Sequence, residues 1–209
     1  MNRERITISI KKDLLSKVDK KVDGVKLRNR SHAVESLLSE ALGINAIKDA
    51  IVMAGGEEAT KNIAAIKDAI LRLRKVGIEE VIVAIGYLGD KIKKELGDGK
   101  NFDLKISYLE KGEGSGGAIF LLKNALKKTF LVVNVSESLE FDYKSLIDFH
   151  KSTNYSATIA TSDIKNMTGV YVLDPEILPY LPKGFSMLED DIFPRLLKEN
   201  KLSIYPVLN

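Results

Sequence analysis

The chain has 209 residues, 44% hydrophobic and 29% charged, and lacks cysteine, which suits a soluble protein and excludes disulfides, thiolate metal sites and a thiol nucleophile. No apolar run approaches the roughly 20 residues of a membrane span and no signal peptide is visible, so a cytoplasmic protein without a membrane partner is expected; absent glutamine beside plentiful lysine leans towards a heat-adapted source. The net charge of +3 is uneven: residues 1–43 hold ten Lys/Arg against six Asp/Glu and the remainder 22 against 23, a basic excess that points to a polyanionic partner for the first piece.

Arg3 to Ile10 alternates strictly, with Arg3, Arg5, Thr7 and Ser9 on one face and Ile6, Ile8 and Ile10 on the other, which predicts a half-buried strand. Leu14, Leu15, Val18 and Val22 have helical spacing up to Gly24. After a basic loop, Ala33, Val34, Leu37, Leu38, Ala41 and Leu42 form the stripe of a second helix closed by Gly43, with Asn29 or Ser31 as its cap. One strand and two short helices are too little for a stable core, so a second copy is expected to pair with residues 3–10 and to pack on both helices, giving a homodimer. The paired strands would present Arg5, Thr7 and Ser9 twice over, a ribbon that fits a DNA major groove.

Arg5-Ile-Thr7-Ile-Ser9-Ile10 and Asn29-Arg-Ser31-His-Ala-Val34 resemble the ribbon-helix-helix DNA-binding family of the Arc and methionine repressors. The resemblance implies that Arg3, Arg5, Thr7 and Ser9 face double-stranded DNA and that Asn29, Arg30 and Ser31 clamp a phosphate.

Residues 44–48 read as a linker, and a second domain is expected over 49–209. Its first stretch, Asp49-Ala-Ile-Val-Met-Ala-Gly55-Gly56, is a short apolar run ending at adjacent glycines, the pattern of a strand buried in a parallel sheet whose carboxyl end lets backbone approach a phosphate or a base. A helix with Ile63, Ile66, Ile70, Leu73 and Val76 facing inward follows, then strand 81–85, a helix to about Leu96 and strand 104–109. The glycine loop 112–117 introduces a helix over 118–127; strand 130–133, helix 143–151, strands 157–161 and 169–172 and a last helix near 190–199 complete the alternation. The expected class is α/β: an N-terminal ribbon-helix-helix module and a layered, mainly parallel, Rossmann-like sheet domain.

Ala54-Gly-Gly56, Gly86-Tyr-Leu-Gly-Asp90, Gly114-Ser-Gly-Gly-Ala118, Phe130-Leu-Val-Val-Asn134, Gly169-Val-Tyr-Val172 and Glu189-Asp-Asp-Ile-Phe-Pro194 resemble, in this order, the sugar-phosphate nucleotidyltransferases. The resemblance implies that Gly55, Gly56, Gly114, Ser115, Gly116 and Gly117 meet the base and ribose of a nucleotide. The bland alternative is that these glycines only make the turns of the scaffold. The chain departs from the family where phosphates and metal are held: Glu57-Glu-Ala-Thr-Lys-Asn62 replaces the gripping loop, and Asn134 runs into Val135-Ser136 where the family continues to a metal-binding aspartate. The family's second metal-binding aspartate has no counterpart in this sequence, and the sugar-covering stretch between Thr161 and Thr168 is short. His150 reads as a solvated group at the end of an exposed helix.

These features lead to a dimeric DNA-binding transcription regulator carrying a nucleotidyltransferase-like pseudoenzyme domain that senses a nucleotide or nucleotide-sugar effector, with no catalytic residue, metal ligand or cofactor assigned. The alternative is a minimal sugar-phosphate nucleotidyltransferase in which the N-terminal module only dimerises the enzyme.

Overall fold

A computed structural model describes residues 4–24, 27–43, 46–55, 63–86, 89–135, 141–161 and 169–207. Its contacts divide the chain into one unit over Met1–Ala46 and another over Ile47–Asn209.

In the first unit, α1 (Lys12–Asp19) and α2 (Arg30–Ala41) pack on each other. Asn29 Oδ1 accepts from the His32 amide at 2.9 Å and caps α2. The Arg30 guanidinium donates to both carboxylate oxygens of Asp19, at 2.7 and 2.8 Å, and ties the helices together. Val18 and Ala33 are buried, whereas Leu14, Leu38 and Leu42 remain exposed, so the apolar stripe is only partly covered within one chain. Residues 4–11 form neither helix nor strand in the single chain, and Ile6 and Ile8 are 68% and 53% exposed.

The second unit is built on a seven-stranded sheet of order β3-β2-β1-β4-β6-β5-β7. Its strands are β1 (Asp49–Ala54), β2 (Glu80–Ile85), β3 (Lys105–Leu109), β4 (Phe130–Asn134), β5 (Ala157–Thr161), β6 (Val170–Leu173) and β7 (Leu202–Pro206). β1 pairs in parallel with both β2 and β4, and β2 with β3, while β6 runs antiparallel to β4 and β5. Continuous apolar runs form these strands because helices cover both faces. On one face α3 (Ile63–Lys75), α4 (Gly89–Leu96) and α6 (Tyr143–Ser152) bury Ile66, Ile70, Leu73, Ile92, Leu96 and Leu146 against Val52, Val83 and Val133. On the other, α5 (Gly114–Leu122), a π-helical turn (Leu188–Ile192) and α7 (Phe193–Lys198) bury Ile119, Leu188, Phe193 and Leu196 against Ile51, Val132 and Tyr171. The layered, mainly parallel α/β architecture read from the sequence is the one observed.

Three local features differ from expectation. α5 starts at Gly114 rather than at Ala118 and ends at Leu122 rather than Lys127, so the glycines are its first turn. The π-helical turn precedes α7 without interruption. β7, which the sequence reading left out, pairs in parallel with β5 and forms one edge of the sheet.

Candidate functional site

The strand order reverses at β1. The chain leaves β1 for β2 and β3 on one side, through α3 and α4 on one face, then crosses by α5 on the opposite face to β4 on the other side. Such a switch point opens a crevice outside the carboxyl ends of the two neighbouring strands, here β1 and β4, where open α/β sheets take ligands. Met53 lies in register with Asn134, and the Val135 amide donates to Met53 O at 3.4 Å, so the two ends sit side by side.

Gly55 caps the end of β1 and is exposed. A Cβ built there would meet nothing within 4 Å, so no packing in the described structure demands a glycine, and its bare backbone is open to close approach. Gly56, Glu57-Glu-Ala-Thr-Lys-Asn62, Ser136 and the stretch between Thr161 and Thr168 lie outside the described residues.

The second glycine cluster is placed differently. The Gly116 and Gly117 amides both donate to Ser186 O, at 2.9 and 3.3 Å, and the Ser186 amide donates to Glu113 O. A Cβ on Gly114 would lie 2.3 Å from Ser186 O, one on Gly116 2.5 Å from Ser186 Oγ and one on Gly117 2.6 Å from Gly184 O. Gly114 also has φ +75°, which L side chains rarely adopt. These three glycines are therefore accounted for by the close approach of residues 184–186. Ser115 extends the clasp: its hydroxyl donates to Glu189 Oε2 and accepts from the Leu188 amide, both at 2.8 Å.

Glu189 joins the site to the sheet, and the sequence reading assigned it no role. It is buried, and its other oxygen accepts from the Tyr171 hydroxyl at 2.7 Å. The Tyr171 hydroxyl in turn accepts from the Gly169 amide at 3.2 Å, and Gly169 O accepts from the Asn134 amide at 3.0 Å. A chain of hydrogen bonds thus runs from the glycine turn of α5 through Ser115, Glu189 and Tyr171 to the end of β4. The spacing from Gly169 through Glu189 to Pro194 was the available signal.

The resemblance to nucleotidyltransferases raises the question of a metal ion. Asn134, at the end of β4, carries an amide and not a carboxylate, and among the described residues no group of three His, Cys, Asp or Glu could hold a metal. The described side chains do not fit a metal.

His150 corrects an expectation. It is 5% exposed, its Nδ1 lies 2.8 Å from Thr158 Oγ1 and its Nε2 lies 3.5 Å from Asp174 Oδ2. It is buried because α6 packs its inner face on β5. Thr129 donates to Asp174 at 2.5 Å, and Thr158 and Ser203 hydroxyls are 2.8 Å apart. Burial pushes the Asp174 carboxyl up, but the hydrogen bonds from His150 and Thr129, with the charge of His150, outweigh it and hold the group below the ordinary carboxylate range.

In the first unit Arg5, Thr7, Ser9, Asn29, Arg30 and Ser31 are exposed, with Arg30 engaged by Asp19 and Asn29 by the helix it caps; Arg3 lies outside the described residues. No helix among the described residues is long and apolar enough to cross a membrane.

An open α/β sheet with a crevice at its switch point is an architecture that takes its ligands there. Residues 58–172, more than half of the chain, match the family model described as nucleotidyl transferase, and the chain belongs to that family. It is 23% identical over 167 residues to the mannose-1-phosphate guanylyltransferase catalytic subunit beta of Xenopus tropicalis, covering 62% of this chain and 46% of that protein. It is 22% identical over 184 residues to the UTP–glucose-1-phosphate uridylyltransferase of Synechocystis sp., covering 65% and 47%. The chain therefore spans about half the length of the curated relatives it matches. Among solved structures, one described as a glucose-1-phosphate thymidylyltransferase from Bacillus anthracis superposes with a TM-score of 0.67 at 18% identity, covering 78% of this chain and 87% of that one, a likeness of fold.

These findings correct the functional reading of the sequence. The relatives are sugar-phosphate nucleotidyltransferases, which sets aside a DNA-binding transcription regulator and favours the enzyme that stood as its alternative. The misreading came from weighting a polar strand face and basic loop in 43 residues above the order of motifs over the larger unit. The family match begins at residue 58 and does not reach the N-terminal module.

Proposed function

We propose that this chain is a nucleotidyltransferase that joins a nucleoside monophosphate unit to a sugar phosphate. The sugar phosphate oxygen attacks the α-phosphorus of a nucleoside triphosphate, the bond to the β-phosphate breaks, and pyrophosphate leaves. The observation that carries the reading is the exposed Gly55 at the switch point of β1 and β4, on a sheet whose relatives act on sugar phosphates.

Phosphoryl chemistry of this kind asks a protein chiefly to position its reactants and to balance charge. Gly55 and Gly56 would let the nucleotide lie against bare backbone. Gly114, Ser115, Gly116 and Gly117 would shape the opposite wall through the Ser186–Glu189 clasp. The test is pyrophosphate release by the full chain with each common nucleoside triphosphate, with and without mannose 1-phosphate or glucose 1-phosphate, in magnesium buffer. Release that requires one nucleotide and one sugar phosphate together is expected. A folded protein that releases none with any pair overturns the proposal.

The N-terminal unit would dimerise this enzyme. Ile6, Ile8, Leu14, Leu38 and Leu42 are exposed in one chain, and about 40 residues without disulfide or metal seldom hold a core alone. Pairing of residues 3–10 with a second copy, and packing of both helices on theirs, would cover these side chains. Light scattering on the full chain should give twice the mass computed from the sequence, and Ile8→Asp should shift it towards the monomer. A monomer at all concentrations would exclude the dimer.

A further inference from the structure

Phe185 is 70% exposed, the highest value for any large apolar side chain described in the second unit. The chain has seven phenylalanines, and the other six are buried or half-buried. The backbone on either side of this ring is fixed. Gly184 O packs so closely on Gly117 that a Cβ there would lie 2.6 Å from it. Ser186 O accepts from the Gly116 and Gly117 amides, the Ser186 amide donates to Glu113 O, and the Ser115 hydroxyl holds Leu188 and Glu189. Gly184, at φ +98°, makes the turn that lets these bonds form together. The ring is thus presented on an ordered stretch of chain, so a ligand that covers it demands little further ordering.

Topology sets this stretch at the rim of the crevice. β3, β2, β1 and β4 run parallel, so their carboxyl ends share one edge of the sheet. Four residues join Leu109 of β3 to Gly114, which places the first turn of α5 at that edge. β5 has the direction of β4, because β6 is antiparallel to both, and β7 is parallel to β5. α7 leads into β7 and therefore starts at the same edge, with the π-helical turn and residues 184–186 just before it. The hydrogen bonds from Ser115 through Glu189, Tyr171 and Gly169 end at Asn134. Phe185 accordingly belongs to the β4 side of the switch point, across from Gly55 at the end of β1.

We infer, resting on the nucleotidyl-transfer reading, that Phe185 is the platform for the pyranose ring of the acceptor sugar phosphate. The nucleotide lies against bare backbone on the β1 side, so the acceptor whose oxygen attacks its α-phosphorus enters from the β4 side. A pyranose carries a face of C–H groups rimmed by hydroxyls. That face packs on an aromatic ring while the hydroxyls keep their water. An axial hydroxyl interrupts the face, so a ring held in place discriminates between sugars, and Phe185 is a specificity-determining residue.

The chain has no tryptophan, so Phe185→Trp places a single indole at the platform. Its fluorescence in the full chain is titrated with mannose 1-phosphate and with glucose 1-phosphate, each alone and with a non-hydrolysable nucleoside triphosphate analogue. A saturable change with a sugar phosphate is expected, and none with inorganic phosphate at the same ionic strength. In pyrophosphate release, Phe185→Ala should raise the KM for the sugar phosphate about 5- to 10-fold and leave that for the nucleotide unchanged. Phe185→Tyr, which keeps the ring, should behave as the unaltered chain does. All three variants should melt with the unaltered chain, since the side chain is exposed. The inference is overturned by an indole that responds to neither sugar phosphate, or by a sugar KM indifferent to Phe185→Ala. A rise in the nucleotide KM instead, the mark of base stacking, overturns it as well. The two readings fail separately. A saturable response in a protein that releases no pyrophosphate removes nucleotidyl transfer alone, and turnover with a sugar KM indifferent to Phe185 removes the platform alone.

Discussion

Glu189 concentrates more of the candidate site than any glycine does. A single buried carboxylate holds the Ser115 hydroxyl on one oxygen and the Tyr171 hydroxyl on the other, and through them the turn of α5 and the end of β4. Glu189→Ala leaves both hydroxyls in a buried setting, and chemical denaturation should record a loss of about 1–3 kcal/mol. Gly117→Ala pushes a methyl group to 2.6 Å from the Gly184 carbonyl, a backbone atom that cannot swing away. A destabilisation of about 1–3 kcal/mol is expected from that overpacking, read as a lower denaturation midpoint. The same substitution at Gly55 meets open space and should leave stability within about 0.5 kcal/mol while weakening nucleotide binding. Asp174 adds a pH dependence. Its folded pKa lies below the unfolded one, so its contribution is fully present above the unfolded value of about 4 and is lost as pH falls through the depressed one. Asp174→Asn should therefore flatten the acid limb of Tm against pH; an unchanged limb would contradict the His150 and Thr129 network as its cause.

At the scale of elements, strand and helix were legible where periodicity and turn chemistry agreed. Asp49–Ala54 ends at Gly55, and Ile63–Lys75 carries an inward stripe before Gly77, whose φ of +90° closes the helix as glycine readily does. The start of α5 was misplaced because four residues of glycine and serine read as loop chemistry, whereas backbone bonds to Ser186 hold them as a helical turn. β7 was missed because Leu202–Pro206 ends in a proline, and proline demotes a strand by its local signal alone. An edge position, with Pro206 its last residue, resolves that conflict. His150 was placed in solvent by its position near a helix end, since only the packing of α6 on β5 brings Thr158 and Asp174 against it. β1 also carries a local misfit: Asp49 lies in register with Glu80, and burial, then the Glu80 charge, push its carboxyl above the usual range. The ionised form is disfavoured by folding, so Asp49→Asn should stabilise the fold at pH 7, by less than about 1 kcal/mol in a group this solvated and read as a higher denaturation midpoint, and should give no gain below pH 3.

For the whole molecule, the order of motifs over residues 49–209 indicated both fold and family, while a 43-residue module with a plausible polar face drew the functional reading towards DNA. The same alternation that makes a strand reader of DNA also makes a strand that pairs with its own copy, and the sequence cannot separate these uses. Beside its exposed polar residues, the first unit leaves Ile6, Ile8, Leu14, Leu38 and Leu42 on the surface, which suits association. The second unit retains a sheet whose switch point is open at Gly55, the place where the chemistry of its relatives would be expected.

The central claim is nucleotidyl transfer, and its most direct measurement is phosphorus NMR of the full chain with a nucleoside triphosphate and a sugar 1-phosphate. The account predicts the loss of the triphosphate and sugar phosphate signals together, with free pyrophosphate and the paired resonances of a nucleoside diphosphate sugar appearing in equal amounts. A triphosphate that stays intact beside its sugar phosphate, or that is merely hydrolysed, would contradict it.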